Sequence, residues 1–171
     1  MAKGFTLVEV LIALFIAAVA AISIAQIIAT TNKVIAAGRT TFIATNIAHE
    51  GLELSRAFRD NAWFTSNNRL EWLSLSGICP EGETGTVSYS VTPQDVSSGV
   101  VGDQANNTVE LNGLSYHRTL QADCEYANIV PEVGSDSAFV TITSTVTWDD
   151  PSGGRKNISL KERLYNWLPA V

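Results

Sequence analysis

The chain has 171 residues, enough for one domain with its own core and too few for two comfortable ones. Acidic side chains outnumber basic ones by 17 to 11, for a formal net charge of −6. The nearest thing to a basic run is Arg155-Lys156, with Lys161 and Arg163 a little further on. Nucleic acid is therefore not indicated as a direct partner, unless folding gathers a patch from distant residues.

Apolar character is concentrated at one end. Across residues 5–29 the only polar side chains are Thr6, Glu9, Ser23 and Gln26, and Glu9 is the only charge. Twenty-five residues at about 1.5 Å each make a helix of roughly 37 Å, enough to span a bilayer with some tilt. Lys3 in front would hold that end on the cytoplasmic side. A plain one-pass anchor is one reading. A secretory signal is a second, since Ala18-Val19-Ala20 offers a small-residue cleavage site. Two features oppose the second: a carboxylate at the front of the apolar run, and a run that continues past the cut. The third reading starts from Glu9. A charge in an apolar span costs about 3 kcal/mol on insertion scales and marks a function with a partner. Placed about 6 Å deeper than Phe5 along a helix, Glu9 is shallow enough to insert and deep enough to need a cation.

The string Lys3-Gly4-Phe5-Thr6-Leu7-Val8-Glu9-Val10-Leu11-Ile12-Ala13 resembles the class III signal of the type IV filament superfamily, which holds type IV pilins and the pseudopilins of type II secretion and competence. The resemblance implies cleavage by a prepilin peptidase between Gly4 and Phe5, then N-methylation of the new Phe5 amine. It further implies that Glu9 pairs with the amino terminus of a neighbouring subunit, with Thr6, Leu7, Val8, Val10, Leu11 and Ile12 as packing surface. A carboxylate and an ammonium in an apolar bundle are tolerable only as a pair. The partners implied are the peptidase, other pilin or pseudopilin subunits, an inner-membrane assembly platform and membrane lipid. The location implied is the bacterial cytoplasmic membrane, with the head outside the cytoplasm, and then a pilus or pseudopilus.

Beyond Thr30 the pattern becomes amphipathic. Ile35, Phe42, Ile43, Ile47, Leu54 and Phe58 recur after one or two turns, and this spacing predicts a helix ending near Asp60-Asn61. Gly38 and Gly51 read as weak points, each costing about 1 kcal/mol against alanine. The stretch Ala48-His49-Glu50-Gly51-Leu52-Glu53-Leu54, leading to Arg59-Asp60-Asn61-Ala62-Trp63, is similar to a segment of the type IV pilus V and type II secretion I subunits. It favours a minor over a major subunit.

Leu70, Trp72, Leu73 and Leu75 form a short apolar cluster, after which the period shifts to two. Thr86-Val87-Ser88-Tyr89-Ser90-Val91 alternates as a half-buried strand. Asn112-Gly113, between Val109-Glu110-Leu111 and Leu114-Ser115-Tyr116, is a strong hairpin signal. Residues 139–148 alternate again, with Val140, Ile142, Ser144 and Val146 on one face and Phe139, Thr141, Thr143 and Thr145 on the other. Asp149-Asp150-Pro151-Ser152-Gly153-Gly154 reads as a turn, and Ile158-Ser159-Leu160 resumes the sheet. The fold class is α+β: a long helix, transmembrane and then amphipathic, packed on a C-terminal antiparallel sheet. Its expected parts are a leader at 1–4, a membrane half of the helix at 5–29, an amphipathic half at 30–62 and a β-rich head at 63–171.

Cys79 and Cys124 lack CxxC spacing and a neighbouring histidine, so a zinc or thioredoxin-like site is a poor reading. Outside the cytoplasm a disulfide is the better expectation, with two buried thiols as the alternative. Phosphate-loop, HExxH and GxSxG signatures are missing from the sequence, and His49 and His117 have no local catalytic setting. The chain reads as a structural subunit, with no enzyme activity, metal or cofactor expected. The competing class is a pilus-tip adhesin or other membrane-anchored binding protein, for which Trp63, Trp72, Trp148 and Trp167 are the candidate anchors.

Overall fold

The structure is a computed structural model that describes residues 6–65, 78–79, 85–92, 108–124, 139–151 and 153–165. One helix, α1, runs Leu7–Thr65. It passes through two compact units, Met1–Thr40 and Thr41–Val171.

In the first unit every described side chain from residue 6 to residue 36 is exposed. As far as Ala29 the helix is apolar on all sides save for Glu9, and the Ser23 and Thr30 hydroxyls bond its own backbone. Ser23 donates to the Val19 carbonyl at 3.0 Å, and Thr30 to the carbonyls of Gln26 and Ile27 at 3.0 and 2.9 Å. Such bonds let Ser and Thr enter lipid without a stranded donor. The segment is long and apolar enough to cross a membrane.

In the second unit, α1 lies on an antiparallel sheet. The strands are β1 Thr86–Tyr89, β2 Thr108–Leu111, β3 Leu114–Asp123, β4 Phe139–Asp149 and β5 Arg155–Tyr165. Their order is β1-β3-β4-β5, with β2 also on β3. β1 pairs with β3 over 120–123 and β2 with β3 over 114–117, so the two short strands share one edge of β3. Among the described residues β5 has a single neighbour and forms the opposite edge.

The local chemistry explains the turns. Asn112 and Gly113 both have positive φ, 54° and 77°, which is the two-residue turn that matches strand twist between β2 and β3. The β4–β5 connection closes through the Asp150 amide on the Gly154 carbonyl at 3.0 Å and the Gly153 amide on the Asp150 carbonyl at 2.9 Å. The buried Asp150 carboxylate receives Lys156 Nζ at 2.5 Å.

β4 alternates strictly: Val140, Ile142, Ser144, Val146 and Trp148 are buried, and the residues between them are not. Leu52 and Phe58 of α1 join Leu120, Ala122, Val140, Ile142 and Leu164 in one part of the core. Ala44, Ile47 and Ala48 join Tyr116, Val146 and Trp148 in the other, where the two rings lie 6.1 Å apart.

Several expectations need correction. The helix runs past Asp60-Asn61 to Thr65, and β1 stops at Tyr89 rather than Val91. β5 extends well beyond the Ile158-Ser159-Leu160 core on both sides. Of the apolar stripe, Ile47 and Phe58 are buried and Ile43 and Leu54 pack against the core, whereas Ile35 and Phe42 are 63% and 67% exposed. Small residues complete the buried face, with Ala44, Ala48, Gly51 and Ser55 bringing the helix close to the sheet. Gly51 is accordingly no weak point. A Cβ there would come within 2.9 Å of Arg118 Cδ, Leu120 Cδ2 and Ser144 Oγ. The Leu70–Trp72–Leu73–Leu75 cluster lies outside the described residues.

Candidate processing and assembly site

The start of α1 is set by Thr6. Its carbonyl accepts the amides of Glu9 at 3.1 Å and Val10 at 3.3 Å, and its Oγ1 accepts the Glu9 amide at 3.4 Å. Thr6 is thus the cap residue and Glu9 the third helical position, the T-x-x-E spacing of a capping box. The carboxylate also sits in the first turn, where the helix dipole favours negative charge. Glu9 therefore has a role within its own helix in addition to any partner. Sequence reasoning missed this role although the spacing was visible. The side chains of Leu7, Val8, Val10, Leu11 and Ile12 around it are all exposed, from 47% to 77%. Gly4 and Phe5 lie outside the described residues.

Residues 1–25 match the family model for the prokaryotic N-terminal methylation motif. The motif runs directly into a long apolar helix, and an antiparallel sheet follows. Together these fit a type IV pilin-like protein. No curated protein and no solved structure matches the chain. As in a type IV pilin-like chain generally, the motif indicates a structural rather than enzymatic protein, processed by a prepilin peptidase and assembled with other subunits. Motif and helix point to membrane anchoring.

The remaining candidate residues lie in the second unit. Cys79 and Cys124 are joined by a disulfide, with Cα atoms 5.7 Å apart across a sequence separation of 45. The bridge fastens the chain between α1 and β1 to the end of β3, in the same core cluster as Phe58 and Val91. Trp148 is 2% exposed and packs in the core, so it offers no anchor for a ligand. The side chain of Trp63, and all of Trp72 and Trp167, lie outside what the structure describes. His49 is exposed on α1, and His117 Nδ1 bonds Thr108 Oγ1 across β2–β3 at 2.9 Å. Among the described residues, groups of three His, Cys, Asp or Glu suited to a metal ion are absent.

Among the described residues, polar contacts of Arg118, Tyr89 and Glu162 hold α1 to the sheet. Arg118, its side chain 3% exposed on β3, reaches the Ile47 carbonyl at 3.4 Å and Glu50 Oε1 at 3.7 Å. Burial pulls its guanidinium below the ordinary value, and Glu50 draws it back up. Ser55 bonds Tyr89 Oη at 3.0 Å and donates to the Gly51 carbonyl at 2.8 Å. Burial pushes the Tyr89 phenol well above its usual range, against the smaller opposing effect of the Ser55 bond. Arg56 Nε donates to Glu162 Oε1 at 2.5 Å, which raises the guanidinium. That pair is partly open to solvent and adds little stability. Arg118 and Tyr89 left no sequence signal beyond their place in alternating strands.

Proposed function

We propose that the chain is a minor pilin or pseudopilin subunit. A prepilin peptidase removes residues 1–4 by cutting between Gly4 and Phe5, and the Phe5 amine is N-methylated. Residues 5–29 then hold the subunit in the cytoplasmic membrane, with its amino terminus cytoplasmic and its head, from residue 63, outside. Residues 30–62 link the two. Assembly transfers the apolar helix from lipid into a bundle of like helices, where Glu9 meets the amino terminus of a neighbour. Two buried opposite charges are tolerated only as a pair, so this contact fixes the register of the growing filament. The inner-membrane assembly platform and the other subunits are the partners of that step.

One observation carries the reading: the methylation motif at residues 1–25 leads without a break into a helix that is apolar on every side as far as Ala29 save for Glu9, and exposed up to residue 36. A helix of that kind needs lipid or other helices around it. The test is intact mass after co-expression with a prepilin peptidase. A chain beginning at methylated Phe5 supports the proposal, whereas one beginning at Ala21 assigns the segment to ordinary secretion.

A further inference from the structure

The sheet of the second unit gives one face to the core, and the described strand residues of the other face are exposed or half-buried. Along β4 this other face carries Thr141, Thr143, Thr145 and Thr147, all half-buried between their neighbouring strands. The register sets each in a row: Thr147 between His117 and Asn157, Thr145 between Thr119 and Ser159, Thr143 between Gln121 and Lys161. Neighbouring strands lie about 4.8 Å apart and successive outward residues about 6.7 Å apart, so the face is a grid of hydroxyl and amide groups. Some members steady each other, as in Thr145 Oγ1 to Ser159 Oγ at 2.8 Å and Gln121 Nε2 to Ser88 Oγ at 3.4 Å. A hydroxyl has one donor and two acceptor positions, so the Thr145 hydroxyl can serve a ligand besides Ser159.

Charge on this face is gathered at its ends. Arg155 stands in register beside Asp149 at one end. At the other, Lys161 and Arg163 are both exposed on β5, while Asp123 lies two strands from Arg163, across Thr141. The Arg163 guanidinium sits 5.0 Å above the Phe139 ring, which lies 5.7 Å from Tyr165, itself 44% exposed.

We propose that this face binds a polysaccharide bearing sparse carboxylates, with sugar hydroxyls on the threonine rows and a carboxylate at Lys161 and Arg163. Charge complementarity selects this occupant. Two exposed cations about 7 Å apart suit isolated carboxylates. Duplex DNA, with a charge about every 1.7 Å of its axis, needs a longer basic row than these two cations offer. A protein partner would need an apolar centre, which the threonine rows do not offer. Exposed Tyr165 supplies a ring for the apolar side of a sugar. The face lies wholly within one unit, and the proposal stands apart from the subunit reading.

The test uses the full-length chain in detergent micelles, immobilised and probed by biolayer interferometry with hyaluronan, which carries a carboxylate on every second sugar; dextran and duplex DNA are compared at the same salt. Hyaluronan is expected to bind best. Lys161→Gln with Arg163→Gln lowers affinity at least tenfold, and Thr143→Val with Thr145→Val at least fivefold, with unchanged melting temperatures. Thr145→Ser, which keeps the hydroxyl, retains binding and so separates ligand contact from any loss of fold. Absence of hyaluronan binding, equal binding by the variants, or equal or tighter binding of dextran or DNA overturns the proposal. Self-association of the head through this face in place of glycan binding overturns it too.

Discussion

Replacing Gly51 with alanine sets two opposing effects against each other. In an exposed helix the change stabilises by about 1 kcal/mol, because alanine has less backbone freedom to lose. Here the new methyl would stand 2.9 Å from Arg118 Cδ, Leu120 Cδ2 and Ser144 Oγ together. The first belongs to the middle of a buried side chain and the second to a fully buried leucine, so neither can swing clear into solvent. Overpacking of this kind costs about 1–3 kcal/mol. The balance predicts a net loss of about 1 kcal/mol in Gly51→Ala. Gly38, with nothing within 4 Å of its would-be Cβ, is the control, and Gly38→Ala stabilises or is neutral. Urea unfolding of the full chain in mild detergent, followed by fluorescence of buried Trp148, measures the first; far-UV dichroism measures the second. Adding Ser144→Ala removes one of the three clashes and should recover at least about 0.5 kcal/mol of the loss. Equal stabilisation by both glycine replacements would refute the close approach of α1 to β3 and β4.

Removing the disulfide by Cys79→Ser with Cys124→Ser should cost about 4 kcal/mol by the loop-entropy account, read as a lower urea midpoint; an unchanged midpoint would deny the bridge. The Tyr89 phenol is raised in the folded chain above the ordinary value of about 10, so the native state holds that proton more tightly than the unfolded one. Its contribution is complete below about pH 10 and falls as pH rises toward the folded value; Tyr89→Phe should flatten that alkaline loss while costing about 1 kcal/mol at neutral pH through the lost Ser55 bond. Glu9→Gln keeps a side chain suited to the third helical position and removes only the charge, so it should be processed and inserted but enter filaments at least tenfold less often, as quantified by immunoblot of sheared filaments. Thr6→Val should loosen the first turn by about 1 kcal/mol while Thr6→Ser does not, as read by hydrogen exchange of the Glu9 amide.

Much of the fold was legible where one physical rule dominates. The Asn112-Gly113 turn follows from the need for two positive φ values, and the two faces of β4 follow from period-two alternation. The buried face of α1 was read less well, because a search for large apolar residues finds Ile35 and Phe42, both exposed. Close helix–sheet approach is written in Ala44, Ala48, Gly51 and Ser55, whose small size looks like weakness until the opposing surface is known. The same holds for Arg118, whose burial depends on a helix carbonyl about 70 residues away in sequence. At the amino terminus the resemblance drew attention to Glu9 as a partner residue and away from its shared cap with Thr6.

Among the described residues, the eleven of β5 form a sheet border, with Lys156 and Glu162 at positions that turn toward the helix side. Each is held there by an opposite charge, Asp150 for the lysine and Arg56 for the glutamate. A strand arriving from another molecule would have to lie alongside these inward charges, a poor template for cross-molecular sheet growth. Heads crowded at high local concentration can therefore stand side by side as separate folded bodies, their borders guarded against fusing into amyloid-like ribbons.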